Sequence, residues 1–68
     1  MKITLNNRPE IIPEKEEMTV QELINYKNFS FHMLVTKVND ELVRKEERDK
    51  VKIKDGDNVV ILHLISGG

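Results

Sequence analysis

The sequence predicts an α+β fold in which a single helix packs on one face of a mixed β-sheet. Three observations point there. Apolar and polar residues alternate with a period of two at Ile3–Leu5 and again at Val51–Ile53, and an apolar run from Val59 to Ile65 reads as a further strand. One segment alone, after Thr19, combines helical spacing with a capping signature. Strands and helix are segregated along the chain instead of alternating, which separates α+β from α/β.

The first strand is read from Ile3 and Leu5, with Lys2, Thr4 and Asn6 on its other face. Asn6-Asn7-Arg8-Pro9 has turn chemistry, and Ile11-Ile12 restarts an extended segment before Pro13, so the chain opens with a hairpin. Thr19 and Glu22 form a capping box, and Met18 and Leu23 occupy the positions of a hydrophobic staple. Val20, Leu23 and Ile24 share one helical face, which must lie on a sheet. The helix ends near Lys27-Asn28, where Asn closes the last turn.

Leu34 to Val38 reads as the next strand, with Thr36 on the same side as Leu34 and Val38. Asn39-Asp40-Glu41 turns the chain into a short strand at Leu42-Val43. Arg44 to Lys50 mixes both signs of charge and reads as a solvated face. Val51 and Ile53 alternate before an Asp55-Gly56-Asp57 turn, whose Gly supplies a positive φ. The last strand, Val59 to Ile65, is the most apolar. The expected order is β-β-α-β-β-β, with first and last strands side by side in the middle of the sheet. Ile3, Leu5, Val20, Leu23, Ile24, Val59 and Ile61 are expected to share one core.

Composition narrows the function. With 68 residues, the chain is expected to form a single domain (1–68) with a flexible tail at 66–68, and a core too small to enclose a large ligand. It has no cysteine, hence no disulfide, thiolate nucleophile or zinc–thiolate site. Eleven basic against twelve acidic residues leave no cationic excess for nucleic acid. No apolar run is long enough to span a membrane and no signal segment is visible, so a cytoplasmic location is expected. His32 and His63 have no metal-ligand spacing, and His63 reads as a partly exposed strand residue. Phe29 and Phe31 flank the helix exit and read as core plugs. No catalytic group, metal site or phosphate-cradling loop is found, so any ATP must be bound by a partner.

The chain stops at Gly67-Gly68, directly after the apolar strand. Such an end arises by chance in roughly one chain in two hundred, given Gly at about 7% of residues. Ser66, Gly67 and Gly68 make a narrow tail whose backbone is free to adapt, and the Gly68 carboxylate is its one distinctive group. The alternation of the last strand turns Val59 and Ile61 towards the helix and Val60, Leu62 and Leu64 to the uncovered face. Three aliphatic side chains in line there form an apolar patch suited to partner docking.

These pieces in this order resemble the ubiquitin-like β-grasp sulfur carriers, and among them the thiamine-biosynthesis carrier family, ThiS. The matching residues are Thr19-Val20-Gln21-Glu22-Leu23, Val38-Asn39 ahead of Leu42-Val43, Asp55-Gly56-Asp57 and Ile65-Ser66-Gly67-Gly68. Arg48 departs from the family pattern, which frequently has an aromatic residue there. The small subunits of molybdopterin synthase share the turn and tail but usually carry a Pro-Pro pair near the end, and no proline follows Pro13 here.

The resemblance implies a carrier that is not itself an enzyme and binds no cofactor. A ThiF-like adenylyltransferase would adenylate Gly68 with ATP, and a persulfide donor would convert it to a thiocarboxylate. Thiazole synthase would receive the sulfur, with the carrier monomeric when free. A molybdopterin-type carrier, a ubiquitin-like protein modifier and an interaction domain with an incidental Gly-Gly end stay open as alternatives.

Overall fold

The computed structural model describes residues 1–29 and 33–63. The chain runs β1 (Lys2–Leu5), β2 (Arg8–Ile11), β3 (Glu17–Thr19), α1 (Val20–Tyr26), β4 (Leu34–Val38), β5 (Glu41–Val43), a 3₁₀ turn (Lys45–Glu47), β6 (Lys52–Lys54) and β7 (Asn58–His63). Five strands form one sheet in the order β2-β1-β7-β4-β5. β1 and β7 are parallel and the other neighbours antiparallel, so the sheet is mixed and its first and last strands lie side by side.

Two tight turns set the registers on either side of that central pair. Asn6 and Asn7 have φ of 51° and 66°, and Asn39 and Asp40 have φ of 50° and 69°. Two consecutive left-handed residues make a type I′ hairpin, and short amide or carboxylate side chains are those that tolerate it. The first turn is therefore tighter than the sequence suggests, because Arg8 and Pro9 already belong to β2. Pro9 is acceptable there since β2 is an edge strand, where a missing N–H leaves no ladder bond broken.

The expected single sheet is corrected in one respect. The segment around Ile53 does not join the main sheet but pairs with β3, a strand the sequence reading did not contain. Three residues are too few for a periodic signal, yet Met18 and Ile53 lie opposite each other and both are buried. Glu17 and Lys52 close the pair on the outside with a 3.0 Å ion pair, which at this exposure contributes little.

The helix is short, and both ends are tied. Thr19 Oγ1 accepts from the Glu22 N–H at 3.0 Å, while the Glu22 carboxylate accepts from the Thr19 N–H at 2.8 Å. At the far end Asn28 is left-handed (φ 57°). The Phe29 N–H reaches the Ile24 carbonyl and the Asn28 N–H reaches that of Asn25, the bond pair of a Schellman motif. Phe29 packs against the core, as expected; Phe31 and His32 lie outside the described residues.

Ile3, Leu5, Val20, Leu23, Ile24, Val59 and Ile61 are all buried in one cluster, joined by Ile12, Met18, Val38, Val43 and Ile53. Thr36 is the buried polar member, and its hydroxyl donates to the Val43 carbonyl of the paired strand at 2.7 Å. That bond explains how a hydroxyl is tolerated in the apolar layer.

Thr19→Ala removes one of the two reciprocal caps from a seven-residue helix. It is expected to cost about 1 kcal/mol, which a thermal melt should register as a midpoint lowered by roughly 4–8 °C.

The cap also carries a pH signature. The Thr19 N–H bonded to Glu22 holds its carboxyl below the ordinary value of 4.5. Its contribution is therefore complete above the unfolded value and lost as pH falls through the lower folded one. Acid titration of thermal stability should show this loss in the wild type, and Glu22→Gln should flatten it in that window. Equal slopes would mean that the carboxylate is not engaged in the cap.

Candidate functional site

The site is built on β7, because this strand leads to the tail. On one edge β7 pairs with β4 along its length, from Val38↔Val59 to Leu34↔His63. On the other it pairs with β1 at Thr4↔Asn58 and Leu5↔Val59. The Asn6 side chain then extends this edge: its Nδ2 donates to the Ile61 carbonyl at 3.0 Å, and its Oδ1 accepts from the Ile61 N–H at 2.8 Å. β7 is thus held on both edges up to Ile61.

The start of β7 is fixed by the Asp55-Gly56-Asp57 turn. The Gly56 N–H donates to the Lys2 carbonyl, and Asp55 Oδ1 accepts from the Lys2 N–H. Asn39 joins both turns, donating its Nδ2 to Asp57 Oδ1 and accepting from the Asn58 N–H at its own Oδ1. Gly56 has a φ of 89°, where a Cβ would strain the backbone.

Side chains of β7 divide between the two faces. Val59 and Ile61 are buried under the helix, while Val60 is half-buried and Leu62 is 51% exposed on the uncovered face. Leu64, Ser66, Gly67 and Gly68 lie outside the described residues. His63 is exposed at the end of the strand.

The register adds residues that the sequence reading missed. Val35 lies opposite Leu62, Lys37 lies opposite Val60, and Leu42 lies opposite Lys37. Val35 is half-buried, and Leu42 is 60% exposed. Val35, Leu42, Val60 and Leu62 therefore form one apolar patch across three strands, with Lys37 among them. Alternation within Leu34–Val38 already separates Val35 from Thr36 and Val38, but only the cross-strand register places it beside Leu62.

A groove runs along the patch between β4, β5 and the 3₁₀ turn, with Met33, Leu34, Arg44 and Arg48 in its lining. Arg48, the residue where the resemblance expects an aromatic, donates Nη2 to the Leu34 carbonyl at 2.6 Å. It thereby ties the charged turn to the start of β4. Its Nε is buried without a partner among the described residues.

The described residues contain no cluster of three or more His, Cys, Asp and Glu that could hold a metal. None of their helices is long and apolar enough to cross a membrane. What this face offers is an exposed apolar surface on the strand that leads towards residues 64–68.

Comparison with known proteins supports a family assignment. The ThiS family model matches residues 3–68. The crystal structure of a thiamine biosynthesis protein (ThiS) from Geobacter metallireducens superposes with a TM-score of 0.90 at 29% identity, covering all of both chains. A solution structure of a thiamine biosynthesis protein from the same organism gives a TM-score of 0.82 at 29% identity, covering all of this chain and 88% of the other. No curated protein matches the sequence. With the match extending over nearly its whole length, this chain belongs to the ThiS family of ubiquitin-like β-grasp sulfur carriers.

Proposed function

We propose that this carrier of thiamine biosynthesis delivers sulfur as a thiocarboxylate on Gly68. The observation supporting this reading is that the family match runs through Gly67 and Gly68, so the tail belongs to what the chain shares with its relatives. A carboxylate is a poor acyl donor, because its oxygen leaves badly. A ThiF-like adenylyltransferase therefore joins a Gly68 oxygen to the α-phosphorus of ATP and expels pyrophosphate. The sulfur of a protein persulfide then attacks the acyl carbon and AMP departs. A thiol cleaves the resulting acyl disulfide, leaving the thiocarboxylate, and thiazole synthase accepts the sulfur. Both partners act on the carrier; the carrier supplies no catalytic group.

Division of labour between patch and tail follows from energetics. Ordering a glycine tail costs roughly 1–2 kcal/mol per residue, so affinity must come from elsewhere on the carrier. Val35, Leu42, Val60 and Leu62, with Leu64 beyond them, form the proposed docking surface for the adenylyltransferase. Residues 66–68 provide reach and a cross-section narrow enough for two different active sites.

Opposite failures are expected from two variants. Leu62→Glu places a charge on an exposed strand position, which the free protein tolerates and a desolvated interface does not. It should raise the KM for carrier in pyrophosphate release with the adenylyltransferase, while the melting temperature stays near that of the wild type. A chain ending at Gly67 should dock but give no pyrophosphate, since its carboxylate stops about 3.5 Å short. Unchanged turnover of limiting Leu62→Glu would move the docking surface elsewhere. Normal adenylation of the shortened chain would overturn the carrier mechanism.

A further inference from the structure

Asn6 serves the fold twice. Its backbone takes the first left-handed position of the β1–β2 turn, with φ 51°. Its side chain reaches across to β7, where the primary amide meets both the N–H and the C=O of Ile61 at 2.8 and 3.0 Å. The backbone ladder between β1 and β7 ends just before, with the Asn6 N–H donating to the Val59 carbonyl at 2.9 Å. In a continuing parallel strand, the Asn6 carbonyl would accept from the Ile61 N–H and the N–H two residues on would donate to the Ile61 carbonyl. Because the chain has turned away into β2, the one side-chain amide stands in for both backbone groups. Asn offers this in a single residue, since it combines tolerance of positive φ with one acceptor and two donors.

We propose that Asn6 is a positioning residue for acyl activation. It latches the backbone of Ile61 on the β1 edge, two residues before the described end of β7, and so fixes the direction in which the strand runs towards Gly68; this rests on the role proposed for Gly68. Seven residues follow Ile61, with an extended reach of about 23–25 Å, so a small change of strand direction at Ile61 is magnified at Gly68. Releasing one further residue lowers the fraction of productively placed tails by about 5–30-fold. β4 still holds the other edge of β7, which puts the expected loss at the lower end, about fivefold. The docking patch lies on β4, β5 and β7 and makes no use of the Asn6 side chain.

The test uses the full chain with its adenylyltransferase. Asn6→Gly keeps the left-handed turn and removes the latch, and Asn7→Gly alters the same turn without touching it. Asn6→Asp keeps the acceptor but sets an oxygen against the Ile61 carbonyl. Carrier concentration is varied in pyrophosphate release, thermal melts establish folding, and amide hydrogen exchange is followed at Ile61. For Asn6→Gly, faster exchange at Ile61, kcat lower by about fivefold and KM within about twofold of the wild type are expected. Asn7→Gly should leave all three unchanged, and Asn6→Asp should lower kcat to an intermediate extent. Wild-type kcat in folded Asn6→Gly, an equal loss in Asn7→Gly, or a change confined to KM would each overturn the positioning role. Should Asn6→Gly fail to fold, wild-type kcat in Asn6→Asp would overturn it as well. A wild-type chain that releases no pyrophosphate would instead overturn the proposed function, and the positioning role with it.

Discussion

Bonding of β7 along both edges is the constraint on which the rest of the molecule depends. β7 is the middle strand of five, parallel to β1 and antiparallel to β4. Its inward residues, Val59 and Ile61, are buried in the core, so a slip of one position would exchange them with Val60 and Leu62. That exchange would place the core side chains in water and dismantle the apolar patch at the same time. Packing therefore specifies the outer face as firmly as the inner one. Turns at Asn6–Asn7, Asn39–Asp40 and Asp55–Asp57 all converge on this strand, from its first residue to Ile61.

One strand thus connects three different requirements. Inside, it contributes apolar volume to a core that is small because the chain is short. Outside, it carries Val60 and Leu62 on a face that no helix covers. Beyond its described end, the chain continues to a Gly-Gly terminus that no packing argument requires. The proposed function separates affinity from reactivity, assigning docking to the sheet face and reaction to the tail.

Much of this was legible in the residues, for identifiable reasons. The helix start was readable because Thr19 and Glu22 make a reciprocal signature at fixed spacing, and both bonds are present. The core face of β1 was readable because its alternation has a clear period of two; β7 is apolar on both faces and β4 carries Thr36 among its inward residues, so their faces were settled only by register and burial. β3 was not readable, because three residues hold too little periodicity to mark a strand. The turn was placed too wide because Pro9 signals a break, yet an edge strand accepts it. Val35 and Leu42 entered the patch only through the cross-strand register. The latch of Asn6 on Ile61 joins residues 55 positions apart and left no local trace, since an Asn-Asn pair reads simply as a turn.

The proposed function places the sulfur on Gly68. It is tested most directly by the intact mass of the carrier after incubation with its adenylyltransferase, ATP and a persulfide donor, followed by fragmentation of the C-terminal peptide. A gain of about 16 Da located at Gly68, where sulfur has replaced oxygen, is the predicted result. An unchanged mass with active partners, or an adduct many kilodaltons larger joining Gly68 to another protein, would contradict it.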